Sequence, residues 1–528
     1  MEAWLWREAE VAAPELSGAE SPLRQAMALH RAGRAQEADA QYAAVIRAEP
    51  THAQALRLRG ILARDTGNLE RSLKLLRKAA DAAPLDPEPA AELGLSYLAS
   101  GYLHLAEAAF RTALARDPDS SKALANLGAL LQYRGHVQES IECHRRVLEL
   151  DPDDLEVRCN LATTLVEAGR GEEALSECDA ALTSAPARPE LLATKGAVLV
   201  GLGQYAAAVP LLEAALKAGP DDMALINLGR AHQQLGQAGE ALAALDTAVR
   251  VNPDNARATA DLTTLLSAAG RSDAALRLSD DFLRRHAGER LVLASRAVAL
   301  RDAGQPDAAR ELVDLERLVR IRDFPIPRGF TDSADFNAQL AELLRSDPSL
   351  LASPLSKATR GGAQTGELDP DSSPALGAFR DSLNAELRTV ITELEREDFA
   401  GHPVLAWAAD RWTLRIWGTV LGPGGHQLPH LHPLAWLSGV YYVAVPPGLG
   451  DDGALEFGAP PSSIPVQIEP ERRRVSARPG RLVLFPSWFW HRTLPFVQPG
   501  ERISLAFDVM PLTGTSGLGR TPQVSSSP

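Results

Sequence analysis

Cysteine is scarce in this chain, with three among 528 residues: Cys143, Cys159 and Cys178. Because none of them forms a close CxxC pair, neither a disulfide framework nor a zinc finger is expected, and a reducing compartment is favoured. The N-terminal stretch has acidic residues where a signal peptide needs basic ones, and its apolar run is too short to cross a bilayer. These absences predict a cytoplasmic protein without a membrane partner.

A long basic run is also absent, and the formal net charge is −14. Since binding to phosphate backbones needs clustered lysine and arginine, nucleic acid is not expected as a partner. Tryptophan is missing between Trp6 and Trp407, whereas six of the eight tryptophans lie between Trp407 and Trp490. This shift in composition, in a chain far longer than the about 100–200 residues of one domain, predicts at least two domains.

Glycine, by contrast, recurs with a period of 34 residues, broken once by 33. A proline follows seventeen residues after each of the first seven of these glycines, and a small residue follows five residues after all nine. One glycine turn and one proline stop per period predict a pair of helices, and the small residues allow the two helices to approach closely. The turn glycines are Gly33, Gly67, Gly101, Gly135, Gly169, Gly203, Gly236, Gly270 and Gly304.

This pattern resembles the tetratricopeptide repeat, in about nine copies over residues 21–320. The resemblance implies a superhelix whose groove binds a peptide or protein. Asn126, Asn160 and Asn227 share one register, which resembles that of the groove asparagines in the repeat arm of O-linked N-acetylglucosamine transferases. They either hold the backbone of a peptide or are ordinary solvated residues, since other side chains occupy the same register in the remaining repeats.

Beyond residue 320 the helical period gives way to alternation of apolar and polar residues. In ERISLAFDVM, for example, Ile503, Leu505 and Phe507 share one face of a predicted strand. We therefore predict an antiparallel β-domain with flanking helices over residues 321–512. The remaining boundaries are an N-terminal segment, 1–20, and a disordered tail, 513–528.

Histidines cluster in GGHQLPHLHPLAWLSGVYYV, residues 424–443. Residues two apart on a strand point to the same side, so His430 and His432 can face one metal. His491 is the candidate third ligand, and Arg502, eleven residues later, shares a face with Ser504. Three ligands on one face of an iron ion, with an arginine that binds the far carboxylate of a keto acid, form the logic of Fe(II)/2-oxoglutarate oxygenases.

Five stretches resemble a family of 2-oxoglutarate/Fe(II) oxygenases that often follows tetratricopeptide repeats in bacterial proteins. The resemblance covers about residues 325–512 and implies a double-stranded β-helix, or jelly roll, that holds Fe(II) and 2-oxoglutarate. It implies His430, His432 and His491 as metal ligands and Arg502 as the 2-oxoglutarate anchor. Either Ser504 or one tyrosine of the pair Tyr441 and Tyr442 is expected as an auxiliary donor. The stretches are TRGGAQTGEL, HLHPLAWLSGVYYV, GALEFG, GRLVLFPSWFWH and ERISLAFDV.

One departure from the wider superfamily is His432, which stands where Asp or Glu is usual. Either three neutral histidines hold the metal, or only His430 and His491 bind and water fills the gap. His426 is a possible substitute ligand, but Pro429 is expected to interrupt the strand between it and the pair. The TRGG segment, 359–362, is expected to be a flexible loop over the site or a solvated linker.

These observations favour an Fe(II)- and 2-oxoglutarate-dependent dioxygenase that hydroxylates a protein or peptide selected by the repeats. Two alternatives stay open. One is a repeat adaptor whose β-domain is inactive or senses a ligand, and the other is a cupin-type metalloenzyme that does not use 2-oxoglutarate. Trp436, Trp488 and Trp490 either line the mouth of the site or belong to the core.

Overall fold

A computed structural model describes residues 22–353, 357–397, 399, 401–408 and 411–512. The predicted N-terminal segment, 1–20, and the predicted disordered tail, 513–528, lie outside the described residues. The chain divides into two compact units. Of the described residues, the first unit contains 22–133, 139–157 and 512, and the second contains 134–138 and 158–511. No helix of the described part is both long enough and apolar enough to span a membrane.

The first unit consists of helix pairs. Each pair turns at a glycine with positive φ, as at Gly67, where φ is 78° and the next N–H, of Asn68, donates to Ala63 O at 2.7 Å. This left-handed turn closes the first helix of the pair and starts the second, as the sequence predicts. The helices are α1 (Pro22–Arg31), α2 (Ala35–Ala48), α3 (Ala53–Asp65), α4 (Leu69–Ala82), α5 (Pro87–Ala99), α6 (Leu103–Arg116), α7 (Ser121–Arg134) and α8 (Val137–Leu150).

The second unit continues the helix pairs before it reaches the sheet. A Cβ atom on Gly196 would lie 2.6 Å from the Leu212 side chain, so the small residue of the first helix is needed for close packing on the second. The helices are α9 (Leu155–Glu167), α10 (Gly171–Ser184), α11 (Pro189–Gly201), α12 (Tyr205–Leu216), α13 (Asp222–Gln234), α14 (Ala238–Val251), α15 (Ala256–Ala268), α16 (Ser272–Arg285), α17 (Arg290–Asp302) and α18 (Pro306–Leu312).

Strands dominate the remainder of the second unit, together with α19 (Leu315–Leu318), α20 (Ser333–Ser346), α21 (Pro374–Arg396) and a 3-10 turn (Pro403–Leu405). The ten strands pair antiparallel in the order β1-β8-β5-β10-β4-β9-β6-β7, with β3 also on β4 and β2 on β3. They are β1 (Arg320–Asp323), β2 (Leu351–Ala352), β3 (Thr359–Gln364), β4 (Trp412–His430), β5 (Leu437–Ala444), β6 (Leu455–Phe457), β7 (Arg473–Val475), β8 (Arg481–Pro486), β9 (His491–Thr493) and β10 (Arg502–Pro511).

The sheet has one helix-covered face and one polar face. Phe336 of α20 and Phe379 of α21 pack on Tyr441 and Phe507, and all four residues are fully buried. Because side chains alternate along a strand, the intervening residues of β10 point the other way. These residues include Arg502, Ser504 and Asp508, whose side chains therefore share the polar face of the sheet.

The long strand β4 gives the sheet its curvature. Its first half pairs with β10, and its second half pairs with β3 and β9. The result is a curled half-barrel, and the closed jelly roll of the sequence analysis stays a prediction. Pro429 does not end β4, contrary to expectation, although the register with β9 shifts between Gln427 and His430.

The TRGG segment was expected to be a loop or a linker, and this prediction is wrong. It forms the first four residues of β3, where Thr359 pairs with Gln427 and Arg360 with His426. A Cβ atom on Gly361 would lie 3.2 Å from Gly425 Cα. Glycines on both strands therefore permit a close backbone approach, which explains why a glycine-rich stretch forms a strand here.

Candidate metal centre

Two of the candidate histidines form a cross-strand pair. His430 is the last residue of β4, His491 is the first of β9, and the two are direct partners in the antiparallel register. Directly opposed residues on neighbouring strands place their side chains on the same face. The two ring centroids accordingly lie 4.3 Å apart.

His432 reaches the pair from the segment that follows β4. Its backbone N–H donates to Ser487 O at 2.9 Å, which fixes the position of this segment. Its ring centroid lies 5.2 Å from that of His430 and 5.1 Å from that of His491. One ring nitrogen of each histidine lies within 4.8 Å of the others. The structure thus brings the three rings together, and metal binding itself stays a prediction.

Hydrogen bonds at the Nδ1 atoms determine which ring nitrogens are left available to a metal ion. The Nδ1 atom of His430 lies 2.8 Å from Leu428 O, and that of His491 lies 2.9 Å from Phe489 O. Since a carbonyl oxygen only accepts, both Nδ1 atoms carry the proton and donate it. Each Nε2 atom then keeps its lone pair for a metal ion, an arrangement typical of histidine ligands.

Burial keeps these imidazoles neutral. It lowers the pKa of His430 to about 3, and the neighbouring His432 acts in the same direction. Burial likewise holds the pKa of His491 well below its ordinary value, with His430 and His432 adding to the effect. Neutral imidazole is the form that binds metal ions. The site therefore needs no proton release from these two rings at neutral pH.

Asp508 of β10 is a residue that the sequence analysis missed. Its carboxylate lies 3.0 Å from His432 Nδ1 and accepts a hydrogen bond from Ser438 Oγ at 2.6 Å. Burial raises the pKa of Asp508, but His432 and the Ser438 hydroxyl hold it below its ordinary value. The carboxylate thus orients His432 with its Nε2 atom free and brings a negative charge next to a ligand set that has none of its own.

We expect the Asp508→Asn variant to bind Fe(II) about 10–100-fold more weakly, because loss of the partner of a ligand histidine typically has an effect of this size. Anaerobic isothermal titration calorimetry measures the affinity. The visible spectrum of the Co(II)-loaded protein should also change, which a purely structural role would not cause. Asp451→Asn, at an exposed carboxylate on the same domain, serves as the control and should leave both readouts unchanged.

Arg502 forms a second group on the polar face, at the start of β10. It is 1% exposed, and its Nε and Nη1 atoms have no hydrogen-bond partner. Among the described residues no carboxylate lies within 4 Å of its guanidinium, and burial lowers the pKa of Arg502. A buried arginine without a carboxylate is costly unless a ligand supplies the anion. This orphaned cation therefore fits the far carboxylate of a dicarboxylic keto acid.

A row of hydroxyl groups crosses the polar face two residues along β10 from Arg502. Ser504 pairs with Tyr442 on one side and with Thr419 on the other, so the three side chains form one row across β5, β10 and β4. The Tyr442 ring lies 4.9 Å from the guanidinium carbon and its hydroxyl interacts with Arg502, whereas the Thr419 hydroxyl is buried without a hydrogen-bond partner among the described residues. Thr419, which the sequence analysis missed, thus joins Ser504 and Tyr442 as a potential donor to a carboxylate.

Tyr441 lies on the other face of the sheet. Its hydroxyl donates to Asn337 Oδ1 at 2.6 Å, and its ring packs against phenylalanines of the helical layer. The structure therefore does not bring Tyr441 to Arg502. Since adjacent residues of a strand point to opposite faces, only one of the two predicted tyrosines can do so.

The remaining candidate residues lie outside the group of three histidines. His426 lies upstream on β4, where its Nδ1 atom is 3.1 Å from Gly424 O, and it does not join the three histidines. Trp436 and Trp488 are buried in the core. Asn126 is buried and its amide donates to Lys122 O of its own helix, whereas Asn160 and Asn227 are half-buried.

The segment after His432 is held by a repeat helix. Arg290, the first residue of α17, is 6% exposed and donates from Nε to Pro433 O at 2.9 Å and from Nη2 to Leu434 O at 3.3 Å. Its guanidinium also lies over the Trp407 ring, at 4.5 Å from the centroid. The ninth helix pair therefore positions the backbone that carries His432.

We expect Arg290→Met to weaken Fe(II) binding by about tenfold, because two carbonyls next to His432 lose a charged donor. Titration calorimetry of the variant measures this loss. Arg271→Met, at an exposed arginine of the same helical region, is the control and should bind Fe(II) normally. Equal affinities for the two variants would contradict a positioning role for Arg290.

Comparison with known families agrees with this arrangement. Residues 415–508, which include all three histidines and Arg502, match a family model described as "Putative 2OG-Fe(II) oxygenase". No curated protein matches the chain. Models of the tetratricopeptide repeat match residues 23–87, 92–131, 133–198, 194–256, 226–266 and 291–314.

Similar solved structures are repeat proteins. A tetratricopeptide repeat protein from Parabacteroides merdae is 16% identical, with a TM-score of 0.41 over 46% of this chain and 96% of its own. PilF of Pseudomonas aeruginosa is 20% identical, with a TM-score of 0.34 over 39% of this chain and 94% of its own. YrrB, a repeat protein with a peptide-binding site, is 21% identical, with a TM-score of 0.28 over 35% and 95%. The chain therefore carries tetratricopeptide repeats across its N-terminal region and, at residues 415–508, a match to the "Putative 2OG-Fe(II) oxygenase" family.

Proposed function

We propose that this protein is an Fe(II)- and 2-oxoglutarate-dependent dioxygenase that hydroxylates a protein or peptide substrate. One observation carries the proposal: three imidazoles converge on one point of the polar face, which also holds a buried arginine without a carboxylate partner. The three imidazoles suit a divalent metal ion, and the buried arginine suits an organic anion. Three histidines alone suit several metals, and the choice of iron rests on the family match.

His430, His432 and His491 would hold Fe(II) through their Nε2 atoms, with Asp508 orienting His432. Arg502 would bind the far carboxylate of 2-oxoglutarate, and Tyr442, Ser504 and Thr419 would donate hydrogen bonds around it. When bound, Fe(II) and 2-oxoglutarate supply the oxygen chemistry that couples decarboxylation of the keto acid to succinate with hydroxylation of a substrate C–H bond. The helix-covered face excludes water from the back of this site.

The repeats would recruit the substrate. Repeat arrays of this kind generally bind peptides or proteins along their surface. Asn160 and Asn227 are half-buried, so their side chains are partly accessible to a peptide backbone. Asn126 was the third candidate, but its amide is already bound to its own helix.

Two finer statements belong to the same proposal. The curled half-barrel would be the double-stranded β-helix core of the oxygenase family, since the family match at residues 415–508 includes the three histidines and Arg502. The protein would act in the cytoplasm, because its three cysteines are free thiols, as expected in a reducing compartment.

Succinate formation tests the proposal. The full-length protein, supplied with Fe(II), ascorbate, 2-oxoglutarate and oxygen, should form succinate even without substrate, as uncoupled turnover. Omitting oxygen or replacing Fe(II) with Zn(II) should abolish it. A protein that neither retains iron nor forms succinate would favour the adaptor alternative instead. Succinate-independent oxygen consumption would favour the cupin-type alternative.

A further inference from the structure

The polar face of the sheet carries a buried charged group towards each of its two ends. Arg502 lies at one end of β10 and Asp508 at the other, six residues away, which corresponds to about 20 Å along a strand. Two rows of side chains lie between them on this face: Ser504 with Thr419 and Tyr442, and Ala506 with Trp417 and Val440. In the proposed function Arg502 holds the far carboxylate of 2-oxoglutarate, so that carboxylate would lie away from the Asp508 end.

A cavity of about 290 Å³ opens at the Asp508 end. His430, His432 and Asp508 contribute to its wall, and the Trp417 ring stacks on His432 with the centroids 5.5 Å apart. The cavity has room for on the order of ten water molecules, so it admits one extended side chain rather than a folded segment. Leu434, which is 42% exposed, provides an apolar rim.

The charges of the cavity wall leave one cation unpaired. Glu367 is bound by Arg415 at 2.7 Å, and Asp508 is bound by His432 at 3.0 Å. Lys357 also lines the cavity and is exposed; the carboxylates of Glu167, Asp508 and Glu367 act on it electrostatically, but among the described residues none forms a salt bridge with its ammonium group. A reachable lysine beside two neutralised carboxylates selects for an anionic group on the incoming ligand.

We propose that this cavity receives an acidic side chain of the peptide substrate and that Lys357 binds its carboxylate. The proposal rests on the proposed function and assigns the substrate class. Lys357 holds the carboxylate while a neighbouring carbon of the same side chain lies next to the three histidines. That carbon exchanges a C–H for a C–OH bond with one oxygen atom of O2, and the second atom enters succinate as CO2 leaves the keto acid.

Peptide binding tests this inference without turnover. Fluorescein-labelled nine-residue peptides in a Gly/Ala/Leu background carry a central Asp, Glu, Asn, Gln, Lys or phosphoserine. Their affinity for the full-length protein, loaded with Mn(II) and 2-oxoglutarate, is measured by fluorescence anisotropy. The Asp or Glu peptide should bind about tenfold tighter than its amide counterpart, because one hydrogen-bonded ion pair accounts for a difference of this size.

Variants assign the effect to Lys357. Lys357→Ala should remove the preference for the acid, and Lys357→Glu should transfer it to the Lys peptide. Lys217→Ala, at an exposed lysine of the repeats, should leave it intact. Equal affinities for acid and amide peptides, undetectable binding of every peptide, or an unchanged preference in Lys357→Ala would overturn the inference, as would tighter binding of phosphoserine. Uncoupled succinate formation is measured in parallel. Succinate formation without a preference for acidic peptides would contradict the proposed substrate class only, whereas the absence of succinate would contradict the proposed enzyme activity.

Discussion

Fe(II) binding and succinate formation should disappear together when either member of the cross-strand pair is replaced, as in His430→Ala or His491→Ala. Each variant removes one Nε2 ligand. The resulting loss of Fe(II) affinity should be larger than the about 10–100-fold loss that is typical when a residue hydrogen-bonded to a ligand histidine is removed. We therefore expect at least about 100-fold weaker Fe(II) binding, measured by anaerobic titration calorimetry. His430 is the better position because it is half-buried, so its truncation disturbs the core less than that of His491.

His426→Ala is the matched control for this prediction. His426 lies on the same strand as His430 but outside the group of three, and its Nδ1 atom lies 3.1 Å from Gly424 O. Its loss should leave metal affinity and turnover unchanged. A similar loss of Fe(II) affinity in the control would mean that shortening any histidine side chain on β4, rather than removing a metal ligand, causes the defect.

His432→Ala decides between the two ligand sets that the sequence left open. With three ligands, the loss should equal that of His430→Ala. If only His430 and His491 are ligands, water already fills the third position. The affinity for Fe(II) should then change by less than about threefold, as expected when a residue close to the site, but not bound to the metal, is replaced. We expect the first result, because Asp508 holds His432 with its Nε2 atom free for the metal.

The repeats could be predicted from the sequence because their determinants are local. A glycine with positive φ, a small residue at the helix crossing and a proline stop recur within each period, and each repeat packs mainly on its neighbours. The approach of His430 to His491 follows from strand alternation once the two strands are known to pair. Such a pairing is not visible in a single sequence, and the family resemblance supplied it.

The residues that the sequence analysis missed depend on contacts between distant elements. Asp508 lies 76 positions from His432, and Arg290 lies on a repeat helix outside the family match. The alternation of side chains along β10 predicts that Asp508 shares a face with Arg502 and Ser504, but it does not predict that Asp508 lies next to a histidine. The sequence also could not choose between Tyr441 and Tyr442. The alternation of side chains along β5 requires the two tyrosines to lie on opposite faces of the sheet, but it does not say which of them faces the site.

Arg502→Met should abolish 2-oxoglutarate binding while leaving Fe(II) binding intact. The buried guanidinium is the group that fits the far carboxylate, and removing one partner of a buried ion pair typically costs about 3–5 kcal/mol. A loss of at least about 100-fold in affinity for 2-oxoglutarate is expected, since each 1.4 kcal/mol corresponds to about tenfold. Equilibrium dialysis with Mn(II)-loaded protein measures it, and turnover should fall accordingly. A cupin-type enzyme that does not use the keto acid would keep its activity in this variant.

The same variant also separates a ligand-binding arginine from a structural one. Without 2-oxoglutarate, Arg502 is enclosed without a carboxylate, and methionine has a similar length and no charge to desolvate. The Tm of ligand-free Arg502→Met should therefore equal or exceed that of the unmodified protein, whereas added 2-oxoglutarate should raise the Tm of the unmodified protein only. A structural arginine would produce the opposite pattern, a lower Tm with unchanged keto-acid binding. Thr419→Val, which removes one hydroxyl from the same row, should weaken 2-oxoglutarate binding by only about tenfold, as expected for one hydrogen bond to a charged group.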